Sequence, residues 1–176
     1  SDAVKRRALA RKLLIYSPTG AIAAAPTTSL PEDRTGGKNW DYRFAWVRDL
    51  SYTVHALTRF GLREETHAAV SWVMQTIAEH DADLPIFYRR HGSQRDGVEE
   101  RDVPGWNAAG PLNGGNPAGA QPPLALWGDV SEILPHSVPA VSVLDRTNAA
   151  VLPGLARYPR HRREEQDSGI SEPDEA

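Results

Sequence analysis

The sequence predicts a mainly α-helical fold with long loops, and three observations support this prediction. Residues 49–60 and 64–77 both carry apolar side chains at the spacing of an amphipathic helix. The chain has 14 glycines and 14 prolines, several of them between positions 105 and 123, where they weaken regular structure. Its 176 residues, of which 40% are apolar, are enough for one ordinary domain.

The first helix is predicted to end before a turn at residues 17–20. Its apolar residues Val4, Ala8, Leu9 and Leu13 fit one face. The turn has the sequence Ser-Pro-Thr-Gly, and proline and glycine are the residues that most often interrupt a helix.

Two longer helices follow, and their apolar residues repeat with the helical period. Those of the second helix are Leu50, Val54 and Leu57, and those of the third are Thr66, Val70, Val73 and Ile77. The second helix begins near Asp49 and ends at Gly61, a residue type typical of helix C-termini. Glu64 and Glu65 lie in the first turn of the third helix, where the helix dipole favours negative charge.

The second half of the chain contains shorter elements. The sequence LPIFYRR predicts an extended stretch, and residues 124–134 predict a short helix. Residues 147–158 predict another short helix, which Pro153 interrupts or shortens. Residues 157–176 combine a basic and an acidic block with almost no apolar side chains, which is typical of a solvated, disordered tail.

Composition argues against several classes of function. The formal net charge is −3 and the pI about 6.1, so we expect no nucleic-acid partner and no attraction to an anionic membrane. No apolar run approaches the roughly 20 residues that a membrane span requires. The absence of cysteine excludes disulfides, thiolate metal sites and a cysteine nucleophile.

The N-terminal segment shares some features with a secretion signal, namely a basic start, an apolar middle and an alanine-rich end. However, the turn at residues 17–20 interrupts the apolar part, and Pro26 directly follows the position where cleavage would occur. Together with the absence of cysteine, these features favour a cytoplasmic protein.

Motif searches indicate no metal, cofactor or serine-hydrolase site. The histidines show neither the HExxH pattern nor another spacing typical of metal ligands. The sequence TGGKN is not a phosphate loop, because Asn39 follows Lys38 where serine or threonine is required. A GxSxG motif is also absent. We therefore expect neither a metal ion nor a cofactor.

The stretch KNWDYRFAWVRDLSYTVHAL, residues 38–57, concentrates aromatic and charged residues at the start of the second helix. Arg48 offers a fixed fork of hydrogen-bond donors and Asp49 offers acceptors, which together suit the hydroxyls of a polyol. The rings of Tyr42 and Trp46 have an apolar face and a polar tip, which suit the mixed surface of a sugar. In the alternative interpretation, the charged residues form a solvated or capping pair and the tryptophans belong to the core. Spacing alone favours this alternative.

A longer pattern changes the balance between these interpretations. The segment YSPTGAIAAAPTTSLPEDRTGGKNWDYRFAWVRD resembles the start of the catalytic domain in family 15 of the glycoside hydrolases, the bacterial glucoamylases and their trehalase relatives. The resemblance covers residues 8–132, continuing through GLREETHAAVSWV and, more loosely, through LPIFYRRHG, VEERDVPGW and GPLNGGNPAGAQPPLALWGDV. Its motifs are long and specific between residues 17 and 50.

The resemblance implies that residues 1–156 are a truncated catalytic domain, part of an (α/α)6 barrel. Arg48 and Asp49 would hold hydroxyls of the glucose unit whose bond is cut, and Tyr42 and Trp46 would line the same pocket. Because a partial barrel lacks most neighbouring helices, the apolar stripe of the third helix is expected to stay partly exposed.

The reaction implied by the resemblance is inverting hydrolysis of an α-glucosidic bond. A carboxylic acid protonates the leaving oxygen, and a carboxylate roughly 6.5–9.5 Å away activates water on the opposite face of the sugar. The candidate acid is Glu172 in DSGISE, although Ser171 stands where the family has tryptophan. The catalytic base is expected from a later barrel helix, beyond this sequence. Pro122, Pro123 and Ala125 also depart from the family's Gln-x-Gln-Leu-Asp pattern.

Three functions therefore stay open at the level of sequence. The chain can represent an enzyme that releases glucose from maltooligosaccharides or trehalose once the rest of the site is present. It can also be a truncated module with weak glucoside binding, or a remnant without activity. Resemblance of fold does not decide among them, because function depends on the whole site.

Overall fold

The framework of the protein is a set of three α-helices. The computed structural model describes residues 1–28, 30–31, 39–80, 85–93, 97–120, 128–134 and 151–154. The helices are α1 (Asp2–Leu13), α2 (Val47–Arg59) and α3 (Arg63–His80). Residues 128–134 and 151–154 are also helical. The three longer predicted helices are thus confirmed, although α2 begins two residues earlier than predicted. The two short predicted helices are confirmed in the parts of them that the structure describes.

Within the described ranges, four short strands form two antiparallel pairs. Strand β1 (Ala45–Trp46) pairs with β2 (Phe87–Tyr88), so that Ala45 lies opposite Tyr88. Strand β3 (Glu99–Arg101) pairs with β4 (Leu112–Gly114). The extended stretch predicted at LPIFYRR is confirmed by β2. The pairing itself was not predicted, because strands of two or three residues are too short to show the alternation that identifies a strand.

A tight turn at Gly61 joins α2 to α3. Gly61 has a φ of +74°, a left-handed conformation that glycine adopts without the steric cost of a Cβ atom. Its N–H donates to the carbonyl of Thr58, and the N–H of Leu62 donates to the carbonyl of Leu57. The prediction that α2 ends at this glycine is confirmed.

The main core lies between α2 and α3. Its buried side chains include Leu50, Val54, Leu57, Val70, Val73 and Ile77, together with Tyr88 of β2 and Val130 and Ile133 of the helical segment 128–134. The expectation that the stripe of α3 stays partly exposed is wrong, since Val70, Val73 and Ile77 are 0%, 1% and 4% exposed. The helix and strand residues in the same cluster are sufficient to cover this stripe without a complete barrel.

Helix α1 lies on the surface and has no buried side chain. Polar contacts attach it to the other helices: the Arg11 guanidinium donates to Thr53 Oγ1 at 3.3 Å, and Lys12 Nζ lies 2.6 Å from a Glu65 carboxylate oxygen. Three residues of its predicted apolar face are between 44% and 85% exposed: Val4, Leu9 and Leu13. This face is therefore not packed against the core.

The predicted tail at residues 157–176 and the predicted boundary at residue 156 lie outside the described residues. Among the helices that the structure describes, none has both the length and the apolar character needed to cross a membrane.

Candidate functional site

Tyr42 and Trp46 belong to an aromatic cluster just before α2. Their rings stack with centroids 5.9 Å apart and an angle of 30° between the planes. The centroid of the Trp46 ring also lies 5.0 Å from that of the Phe87 ring, which in turn lies 4.8 Å from that of Phe44. Trp46 is only 6% exposed, whereas Tyr42 is half-buried. Of the stacked pair, Tyr42 is thus the more accessible ring.

The chain changes from strand to helix directly after Trp46. This residue has an extended backbone and belongs to β1, and Val47 is the first residue of α2. Arg48 and Asp49 therefore lie in the first helical turn. Backbone N–H groups in a first turn have no partner within the helix, although that of Val47 donates to the carbonyl of Ile86 at 3.1 Å. The helix dipole favours a negative side chain there, which accounts for an aspartate at this position.

Arg48 and Asp49 form a solvent-accessible ion pair. Arg48 Nη2 lies 3.6 Å from Asp49 Oδ2, and the two side chains are 38% and 47% exposed. Ion pairs with this degree of exposure stabilise a fold by only about 0–1 kcal/mol. Stability alone therefore gives little reason for this pair, and both groups have surface that a ligand can reach.

The helical segment 128–134 brings further carboxyl groups to the same end of α2. Val130 and Ile133 anchor the segment in the core cluster that also contains Leu50 and Val54 of α2. This packing places Asp129 within electrostatic range of the charges in the first turn of α2.

Asp129 has an environment that favours its protonated form. Burial raises the pKa of Asp129, and the carboxylates of Glu132 and Asp49 raise it further, while the positive charge of Arg48 partly opposes them. A protonated carboxyl group can donate a hydrogen bond as well as accept one. The sequence analysis did not identify Asp129, because a single acidic residue in a predicted helix is common and only the packing brings it into electrostatic range of Arg48.

Two buried polar residues fix the backbone that leads to Tyr42. The first is Asn39, whose amide Nδ2 donates to the carbonyls of Ala109 and Pro111 at 3.2 and 3.0 Å. Its backbone carbonyl accepts from the N–H of Asn113 at 3.2 Å. The segment is thereby tied to the loop that precedes β4 and to β4 itself.

The second is Asp41, whose side chain is 1% exposed. Its carboxylate accepts from Arg43 Nε and Nη2, both at 2.9 Å, and from the backbone N–H of Arg43 at 3.1 Å. It also accepts from the buried N–H of Gly115 at 3.4 Å. The only sequence signal for Asn39 and Asp41 was their position as polar residues within an aromatic stretch. The sequence could not show their roles, because hydrogen-bond partners such as Ala109 and Gly115 are distant in the chain.

Tyr42, Trp46, Arg48 and Asp49 thus lie within eight consecutive residues that lead into α2 and form its first turn. Glu172, the candidate acid, lies outside the described residues. In the part of the chain that is described, no group of three or more histidine, aspartate or glutamate side chains is arranged to hold a metal ion.

An accessible aromatic ring near a fork of donors and acceptors is the kind of arrangement that binds sugars and other polyols. The profile of the family described as Glycosyl hydrolases family 15 matches residues 1–124. This chain belongs to that family.

Curated proteins with similar sequences are trehalases. The trehalase of Thermoplasma acidophilum is 37% identical over 129 residues, which are 72% of this chain and 22% of the relative. The trehalase of Thermoplasma volcanium is 39% identical over 137 residues, which are 77% of this chain and 21% of the relative. The trehalase of Mycolicibacterium smegmatis is 38% identical over 130 residues, which are 71% of this chain and 19% of the relative. The chain thus spans about a fifth of the length of these relatives. No solved structure gives a significant match.

Proposed function

We propose that this chain provides the glucosyl-binding part of an inverting α-glucosidase of the glucoamylase or trehalase type. The substrate of the complete enzyme would be trehalose or a maltooligosaccharide. The observation that carries the proposal is the direct succession of the stacked Tyr42–Trp46 pair and the exposed Arg48–Asp49 pair at the start of α2. Membership of the glycoside hydrolase family and the trehalase relatives support it.

Each side chain has a distinct role in this proposal. The Arg48 guanidinium donates hydrogen bonds to hydroxyl oxygens of the glucose ring, and the Asp49 carboxylate accepts hydrogen bonds from its hydroxyl groups. The ring of Tyr42 contacts the apolar face of the sugar, with Trp46 stacked behind it. Asp129, which interacts electrostatically with both Arg48 and Asp49, supplies an additional hydrogen-bonding group.

These contacts can favour the transition state over the bound substrate. Positive charge develops on the glucosyl ring when the glycosidic bond breaks, since the transition state resembles an oxocarbenium ion. A carboxylate held against the ring attracts this charge, so its interaction strengthens as the bond breaks, which is the requirement for catalysis. We assign this effect to Asp49.

In the complete enzyme, α2 and α3 would be two helices of an (α/α)6 barrel. Residues 1–156 would form one part of the catalytic domain, with residues 157–176 as a charged tail. Glu172 is the proposed general acid, and the general base would come from another part of the enzyme. No cofactor enters this mechanism, because both proton transfers use carboxyl groups.

The alternative is a catalytically inactive remnant that retains at most weak glucoside binding. The observation that favours it is the presence of Ser171 beside the candidate acid, where the family has tryptophan. Under this alternative the chain by itself releases no glucose, and the first proposal makes the same prediction for the isolated chain. Activity of the 176-residue chain alone therefore does not distinguish the two.

An exchange of segments tests whether residues 1–124 retain a working glucosyl site, as the first proposal requires. Residues 1–124 of this chain would replace the matching segment of the Thermoplasma acidophilum trehalase, and glucose release from trehalose and maltose would be followed. The proposal predicts an active hybrid. Arg48→Ala or Asp49→Ala in the hybrid should each lower kcat/KM by at least about tenfold, since a hydrogen bond to a charged group contributes about 1.5–3 kcal/mol.

The control in the same hybrid is Arg59→Ala, which removes an exposed charge from the last turn of α2. Its kcat/KM should equal that of the unmodified hybrid. A hybrid that folds and binds trehalose without hydrolysing it would support the inactive remnant. Full activity after both α2 substitutions would contradict the roles given to Arg48 and Asp49.

A further inference from the structure

A cleft of about 490 Å³ lies between the end of α1 and the turn after β2. We call it the arginine cleft, because Arg43, Arg89 and Arg90 line it. Its other lining residues include Asp41 and several apolar side chains, among them Phe44. None of Tyr42, Trp46, Arg48 and Asp49 lines this cleft, so it is separate from the proposed glucosyl site.

Positive charge in the arginine cleft exceeds negative charge. The carboxylate of Asp41 is already bound by the Arg43 side chain and by two backbone N–H groups, those of Arg43 and Gly115. Within the described part of the chain, neither Arg89 nor Arg90 forms an ion pair with a carboxylate. Their two guanidinium groups therefore lack a counter-charge among the described residues.

The absence of a counter-charge destabilises the fold more at Arg89 than at Arg90. Its Nε–H is excluded from solvent and has no hydrogen-bond acceptor among the described residues. A buried donor without an acceptor destabilises the fold, and more so when it belongs to a charged group. An anion on the guanidinium would offset the charge whose hydration has been lost.

The backbone holds Arg89 and Arg90 in place. The N–H of Arg89 donates to the carbonyl of Ser93, and the N–H of Gly92 donates to the carbonyl of Arg89, both at 2.8 Å. Thr19 Oγ1 donates to the carbonyl of Arg90 at 2.7 Å. The turn is thus closed on itself and tied to the turn that follows α1.

The Arg90 guanidinium also has a defined position, because its Cζ lies 4.7 Å above the centroid of the Tyr16 ring. A contact with the face of an aromatic ring leaves the N–H groups at the edge of the guanidinium free to donate. The Arg90 guanidinium is therefore oriented before a ligand arrives, which lowers the entropy lost on binding.

We propose that the arginine cleft binds a small organic oxyanion, a carboxylate or a phosphate ester. The guanidinium groups of Arg89 and Arg90 bind the anionic group, since their forked donors match carboxylate and phosphate oxygens. A volume of about 490 Å³ exceeds that of a bare inorganic ion and is typical of small-molecule sites. The apolar walls, including Phe44 and Pro26, contact the organic part.

Three probes of similar size test the proposal: benzoate, phenyl phosphate and the uncharged benzamide. Their binding to the 176-residue chain would be measured by saturation-transfer NMR. We expect at least one of the anions to bind about tenfold or more tightly than benzamide, since a charged hydrogen bond contributes at least one factor of ten. Binding of phenyl phosphate alone would identify a phosphate ester as the ligand class, and binding of benzoate alone a carboxylate.

Substitutions locate the binding. The double variant Arg89→Gln/Arg90→Gln should lose the preference for the anion, whereas the matched variant Arg59→Gln, which removes an exposed charge outside the cleft, should bind like the parent. Arg90→Gln alone keeps the test valid if the double variant does not fold, since Arg90 is exposed, and it should weaken anion binding. Equal binding of all three probes, no binding of either anion, or unchanged anion binding in a folded Arg90→Gln variant would overturn the proposal.

Discussion

Replacing Asp41 by asparagine should destabilise the protein although the two side chains have nearly the same shape. In the parent, Oδ1 accepts from the backbone N–H and Nε of Arg43, and Oδ2 accepts from Arg43 Nη2 and the N–H of Gly115. Asparagine has one carbonyl oxygen and one NH2 group. Whichever way the amide is oriented, its NH2 group faces two donors, of which one is a backbone N–H.

The size of the effect follows from these contacts. A buried N–H that loses its acceptor costs about 1–3 kcal/mol. Loss of the charge opposite Arg43, which is 52% exposed, adds about 0–1 kcal/mol. We therefore expect Asp41→Asn to lower the free energy of unfolding at pH 7 by about 1–4 kcal/mol. Urea unfolding followed by tryptophan fluorescence measures this quantity.

The pair formed by Glu99 and Arg101 is a matched control. It also joins an acidic residue to an arginine two positions later, at 3.0 Å, but its carboxylate is 57% exposed. Glu99→Gln should change the free energy of unfolding by less than about 0.5 kcal/mol. Equal effects of the two substitutions would refute the argument that burial and the backbone N–H donors decide the cost.

The difference between parent and Asp41→Asn should also depend on pH. Burial by itself would raise the pKa of Asp41, but the hydrogen bonds from Arg43 and Gly115 outweigh it and hold the pKa below its usual value. A carboxyl group with a lowered folded-state pKa stabilises the fold above its unfolded pKa of about 3.9. The stabilisation disappears as the pH falls through the folded-state pKa. The two proteins should therefore differ fully at pH 7 and progressively less below about pH 4.

Four further substitutions test the packing, each by urea unfolding. Gly20→Ala should lower the free energy of unfolding by about 2–4 kcal/mol, because φ is +86° and the new Cβ would lie 2.4 Å from the carbonyl oxygen of Ala68. The new Cβ of Gly61→Ala meets no atom within 4 Å, so this substitution should lower the free energy of unfolding by only about 1 kcal/mol. Leu57→Ala should cost about 2–5 kcal/mol, because the side chain is 0% exposed. Tyr88→Phe should be neutral or stabilising by up to about 1 kcal/mol, because the buried hydroxyl has no partner among the described residues. A large loss of stability in Tyr88→Phe would contradict this view of its hydroxyl.

Local sequence signals predicted the helices well, and the reason lies in the length of the pattern. Helix α3 has 18 residues and α2 has 13, so the apolar period repeats several times in each. Strand β1 has two residues and shows no period, so its pairing with β2 depends on contacts about 40 positions apart in the chain. The apolar residues of α1 also fit one helix face, but this face is not packed against the core. The sequence alone does not show which apolar faces are packed.

The candidate site divides in the same way. Tyr42, Trp46, Arg48 and Asp49 lie within eight consecutive positions, so the sequence could identify them as a group. Asp129 joins them only because Val130 and Ile133 pack into the core beside α2. Arg89 and Arg90 likewise meet Arg43 only through the turn that follows β2.

Binding of a glucosyl unit by Arg48 and Asp49 is the central claim, and a sugar titration tests it most directly. Glucose, or an iminosugar that mimics it, would be added to the 176-residue chain while the indole N–H signals of Trp40 and Trp46 are recorded by NMR. We predict shifts that saturate with a Kd in the millimolar range, equivalent to about 4 kcal/mol. The shifts should vanish in Arg48→Ala and in Asp49→Ala and persist in Arg59→Ala. Signals that do not move, or that move equally in all the variants, would contradict a glucosyl site at the start of α2.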